Sequence, residues 1–138
     1  SFQKEVEMVR LATQMDMFSV VYVAKPEEAV QMADVGADAI IAHVGTTVGG
    51  SIGVEGASCS MDDAIERTQI IIDAVKKSNP DTFFLAHGGP INTPEDVRIV
   101  MDKTDVHGFV GASSLERMGV EQSLTDLTRR FKALTFNK

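Results

Sequence analysis

A chain of 138 residues is long enough for one domain with a real core and too short for two ordinary ones. Its 43% hydrophobic and 24% charged residues are those of an average globular protein, and no run approaches the ~18 apolar residues a membrane span needs. A net charge of −7 without any polybasic cluster argues against nucleic-acid or membrane-surface partners, which need a basic face. The single cysteine, Cys59, cannot form an internal disulfide, and Ser1-Phe2-Gln3-Lys4-Glu5 lacks the features of a secretion signal. Together these predict a cytoplasmic protein with a small-molecule or protein partner.

In chain order, Met8, Leu11, Ala12 and Met15 recur at helical spacing, and the β-branched and aromatic run from Phe18 to Ala24 reads as a strand. Pro26, Glu27 and Glu28 open a helix that should end near Gly36, and Ala39-Ile40-Ile41-Ala42 reads as a strand buried on both faces. Residues 45–59 hold five glycines and predict an irregular loop, long enough to serve as a lid. Ser60 suits the cap of a helix with Ala64, Thr68, Ile71 and Val75 on its inward side, stopped by Asn79-Pro80. Thr82 to Ala86 is the third strand, Thr93-Pro94-Glu95-Asp96 starts the next helix, and Gly108 to Ala112 is the fourth strand. The last helix lines up Val120, Leu124, Leu127, Phe131 and Leu134.

A helix followed by four βα units predicts a parallel α/β sheet with right-handed crossovers. Four strands do not close a barrel, which takes eight strands and about 250 residues. The expected fold is therefore the C-terminal part of a (β/α)8 TIM barrel, a single partial domain over 1–138 whose N-terminal half lies outside this chain. A small open parallel sheet is the alternative. Unpaired strand edges would otherwise be exposed, so either the missing half-barrel or a homo-oligomer should cover them.

Both architectures place ligands at the carboxyl ends of the strands. His43 and His87 end successive strands in matching contexts and are the candidate catalytic residues, able to move a proton or donate to an anion. Gly88 and Gly89 admit backbone amides to a phosphate, and Gly111, Ala112, Ser113 and Ser114 lead into a helix N-terminus. Ser113 with Glu116 also fits an ordinary capping box. Gly45, Thr46, Gly49, Gly50 and Ser51 complete the candidate ligand-binding set from the long loop. Neither Asp nor Glu stands at these strand ends, so no metal ligands are predicted, and a divalent cation would need residues outside this chain. Cys59, without a basic neighbour, reads as packing, and His107 sits at the stability end of its strand.

Several of these segments together carry a resemblance: Pro26-Glu27-Glu28-Ala29, Gly36-Ala37-Asp38, Ile41-Ala42-His43-Val44-Gly45, Gly49-Gly50-Ser51-Ile52-Gly53, His87-Gly88-Gly89-Pro90 and His107 to Arg117. Over nearly the whole chain they resemble the phosphoenolpyruvate hydrolase-like barrel domain, also described as a TIM-barrel signal-transduction domain. A similar domain forms the C-terminal part of plant tobamovirus-resistance inhibitor proteins. The resemblance implies a TIM barrel distantly related to phosphoenolpyruvate mutase-type enzymes, with His43, the Gly49-Gly50-Ser51 loop, His87-Gly88-Gly89 and Ser113-Ser114 lining the pocket. Acidic metal ligands of mutase-type enzymes would lie in the absent half. The expected function is binding, and turnover in a complete barrel, of a small phosphorylated or carboxylated metabolite. The alternative is a non-catalytic ligand-sensing or protein-interaction domain.

Overall fold

The computed structural model describes residues 1–46 and 59–134. Helix α1 (Phe2–Gln14) precedes four strand–helix steps: β1 (Val20–Val23), α2 (Pro26–Asp34), β2 (Ala39–His43), α3 (Met61–Lys76), β3 (Phe83–His87), α4 (Pro94–Lys103) and β4 (Gly108–Phe109). A π-helical turn, Ser114–Met118, then leads into α5 (Gly119–Lys132).

Local chemistry sets most of these boundaries. Ser60 and Thr93 each accept from the amide three residues on, while Asp63 and Asp96 return a carboxylate to the cap amide, closing two capping boxes. Helix α2 ends where Gly36 takes φ +96°, with its amide on Ala33 and the Ala37 amide on Met32, a Schellman closure. A side chain at Gly36 would meet Thr13 of α1 at 2.7 Å, so this turn also lets α1 lie close.

The four strands pair in parallel in the order β1-β2-β3-β4. A sequential order has no switch point, so right-handed crossovers place every connecting helix on one face of the sheet. A doubly wound form of the open-sheet alternative would need that reversal, which this order lacks. On the helix-covered face Val23, Ile40, Ala42, Phe84 and Ala86 pack with Ala29, Met32, Ile71, Ile72, Val75 and Val100 into the core. On the other face Val20, Tyr22 and Phe83 are exposed. One covered and one open face on a parallel sheet is the geometry of a barrel wall, and the fold is that of a partial (β/α) barrel.

The structure adds detail at the margins and corrects one boundary. The Met8, Leu11, Met15 side of α1 faces outward, and Phe2, Val6 and Val9 meet the core. Strand β4 is two residues long rather than five, since only Leu85 and Ala86 offer it partners and no further strand extends the sheet among the described residues. Helix α5 buries none of its side chains, and Val120, Leu124, Leu127, Phe131 and Leu134 are all exposed.

Candidate functional site

The β2–β3 register runs to the last residue of each strand, so His43 stands beside His87. Alternation along the strands sends both imidazoles to the open face, because Ala42 and Ala86 point into the core. Their ring centroids lie 5.1 Å apart. His87 is buried at 8% exposure and His43 is half-buried.

Backbone partners give the two rings opposite roles. The Nδ1 of His87 lies 2.7 Å from the Val110 carbonyl, which only accepts, so Nδ1 carries a proton and, in the neutral tautomer, Nε2 is the atom with the lone pair. The Nδ1 of His43 accepts from the Gly45 amide at 3.3 Å, so the neutral His43 ring carries its proton on Nε2. Burial, and then the charge His87 can bear, hold His43 below its ordinary pKa and keep it neutral at neutral pH. One ring presents a donor and its neighbour an acceptor.

The glycines tie the two strand ends together. Gly88 takes φ +85°, and a Cβ there would stand 2.2 Å from the Gly45 carbonyl oxygen. That same oxygen accepts the Gly89 amide at 2.9 Å, while the Val44 amide donates to the His87 carbonyl. Gly89, at φ +55°, packs over Val44 and Cys59. The Gly89 amide is thus engaged within the protein, and the pair acts first as a close-approach turn. Cys59 is buried with its thiol on the Val44 carbonyl, as a packing residue would be.

Beyond β4, the Ala112 carbonyl accepts the amides of Leu115 and Glu116. Ser113 already has helical dihedrals and makes no side-chain cap, so the Ser113–Glu116 capping box does not form. Ser114 borders a groove of about 340 Å³ with Thr93, Pro94, Val97, Phe109 and Leu115, on the helix side of the wall. Gly111 lies against the Leu115 and Phe109 side chains. The structure therefore brings His43, Gly45, His87, Gly88 and Gly89 together, and it turns the Ser114 side chain toward α4. Thr46 is exposed just past Gly45. Gly49, Gly50 and Ser51, and with them the lid expectation, lie outside the described residues. His107 accepts the Phe84 amide at the opposite end of the sheet.

Tyr22 was missed by sequence reasoning. Its ring meets His87 at 5.1 Å and His43 at 5.9 Å between centroids, edge-on to both. Period-two alternation puts Tyr22 on one face of β1, but only the pairing with Ile41 shows that this is the face of the histidines. Among the described residues, no group of three or more His, Cys, Asp or Glu side chains stands together, and no helix is long and apolar enough to cross a membrane.

The chain is 45% identical over 132 residues to a tomato (Solanum lycopersicum) protein called ToMV susceptible protein tm-1(GCR26), and 44% identical to ToMV resistance protein Tm-1(GCR237) of the same plant. Each match takes in 95% of this chain and 17% of the relative, so the chain spans about a sixth of their length. Among solved structures, an N-acetylmannosamine-6-phosphate 2-epimerase from Clostridium perfringens superposes with a TM-score of 0.53 at 16% identity, covering 92% of this chain and 47% of that one. That likeness is one of fold: four βα units match about half of a TIM-barrel enzyme. The phosphoenolpyruvate hydrolase-like family model matches residues 1–134, and the chain belongs to that family.

Proposed function

We propose that the open face at the ends of β2 and β3 binds a small phosphorylated or carboxylated metabolite and that the histidine pair moves a proton on it. The observation that carries this reading is the opposed tautomers: His87 offers a basic Nε2 and His43 an Nε2–H, 5.1 Å apart by ring centroid. Such a pair can take a proton from one atom of a ligand and donate to an oxygen that gains charge, the requirement for enolate-forming or hydrolytic chemistry. The neighbouring turn from Gly111 to Ser114 would hold the anion through helix-start amides, since the first amides of a helix have no intrahelical acceptor. Gly45, Thr46, Gly88 and Gly89 would shape the near wall. A divalent cation would need ligands from outside this chain.

The second reading is a ligand-sensing or protein-interaction domain that keeps the pocket without turnover. It is favoured by the lack of Asp and Glu in the sequence segments that end the four strands, the Glu28 carboxylate that accepts the Ala24 amide past β1 coming from α2. In either reading, we propose that the outward faces of α1 and α5 and the free edges of β1 and β4 are covered by an N-terminal half-barrel elsewhere in a longer polypeptide, or by a second copy. The exposed apolar stripes support this.

The test uses the complete polypeptide with phosphoenolpyruvate. We expect slowed hydrogen exchange at Gly88, Ser113 and Ser114, and release of pyruvate and phosphate that falls by at least about 100-fold in His87→Ala and His43→Ala. Protection without turnover selects the sensing reading. No protection at these amides, with the fold intact, removes the anion site.

A further inference from the structure

We propose that Tyr22 is a positioning residue of this site, an aromatic wall that holds His43 and His87 in their opposed tautomers; the inference rests on the histidine-pair reading above. Tyr22 is in register with Ile41, on the face that the helices leave open, and it remains 48% exposed. It is therefore not ordinary core. Its ring plane stands at 68° to His43 and 72° to His87, and the two imidazoles complete a three-ring cluster at 54° to one another. Edge-to-face packing prefers one orientation of the ring it meets, because the positive rim of one ring points at the negative face of the other.

Each imidazole needs such a constraint. Turning either ring over about its Cβ–Cγ bond would put a carbon where Nδ1 now meets the backbone. His43 would lose the Gly45 amide and His87 the Val110 carbonyl. One backbone hydrogen bond per ring opposes that flip, and the Gly45 contact at 3.3 Å is long. Tyr22 touches both rings, so a single side chain can bias both orientations. The other side chains in its row, Ile41 and Leu85, are aliphatic and supply no such edge.

The experiment is nitrogen NMR of the imidazoles in the complete polypeptide, comparing wild type with Tyr22→Phe and Tyr22→Val. Valine flanks this position on both sides, so the second substitution suits the strand. Wild type should show His43 protonated on Nε2 and His87 on Nδ1. Tyr22→Phe should preserve both, whereas Tyr22→Val should lower the ratio of these tautomers to their alternatives at least about twofold at each histidine. Unchanged tautomers in a folded Tyr22→Val protein would overturn the proposal. Should Tyr22→Val not fold, Tyr22→Phe decides: retained tautomers sustain the ring-edge role, and scrambled ones overturn it. Adding phosphoenolpyruvate to the wild-type sample separates the two layers. Histidine signals that ignore it count against the binding reading, while the tautomer comparison still judges Tyr22.

Discussion

The middle of the sheet and its margins obey the same sequence rule and end in opposite surroundings. In β2 and β3, Ile40, Ala42, Phe84 and Ala86 are all but sealed from water by the helices laid over them. In α1 and α5, apolar residues recur with equal regularity, yet Met8, Met15, Leu124 and Phe131 stand in solvent. Periodicity decides that an element is a helix and which side of it is apolar. It does not say whether the surface that side requires is contributed by the same stretch of chain. The centre finds its partners among the described residues, and the apolar sides of α1 and α5 are left exposed there.

Substitutions can break or sharpen that contrast. The largest effect should come from Phe84→Ala, at about 3–5 kcal/mol in denaturant unfolding, because a fully buried ring leaves a cavity in the middle of the wall. Leu124→Ala in this chain alone should change stability by less than about 0.5 kcal/mol, and in the complete polypeptide by about 2 kcal/mol or more. An equally small cost in both would show that α5 has no partner to meet. A cost that appears only as concentration rises would identify the partner as a second copy.

Gly88→Ala should fall between these, at about 1–3 kcal/mol, since φ +85° and the Gly45 carbonyl at 2.2 Å both resist a side chain. Calorimetry showing no loss would mean that the two strand ends are not locked as described.

The smallest effect is a pH dependence. His43 is held below its ordinary value of 6.5, so the folded protein binds its proton less readily than the unfolded chain does. Its contribution is complete above pH 6.5 and is lost as pH falls through the depressed folded value. A His43→Gln variant should show a correspondingly flatter stability profile in this window, and an unaltered profile would rule out the shift.

Much of this was readable from local signals. Ser60 and Thr93, each followed by acids in the next turn, announced their caps, and Gly36 its helix end. The matching ends Ile41-Ala42-His43 and Leu85-Ala86-His87 pointed to paired histidines because parallel strands of equal phase tend to align. What escaped notice depended on contacts remote in sequence. The role of Gly88 follows from a carbonyl at Gly45, and Tyr22 joins the histidines only through the β1–β2 register. Strand β4 was overread because Val110 to Ala112 look extended, whereas a strand also needs a neighbour. The Ser113 cap was overread because the motif fits, yet Ser113 is already inside the helical turn.

The sequential strand order has a consequence for how this molecule can change. With every helix on one side, adjacent residues of a single strand answer to different demands: Ala42 is bound to the helical layer, and His43 answers only to whatever occupies the open face. New chemistry can then be tried where that face is exposed, as at Val20 and Phe83, without disturbing the packing under the helices, whereas Ile41 on the same face is buried. The freedom extends only to exchanges of side chain. A one-residue insertion inside β2, between Ile41 and Ala42, would invert the phase of the strand end, sending the imidazole into the core and Ala42 into the mouth. Variation in this wall is therefore tolerant of substitution and intolerant of shifts in length, strand by strand.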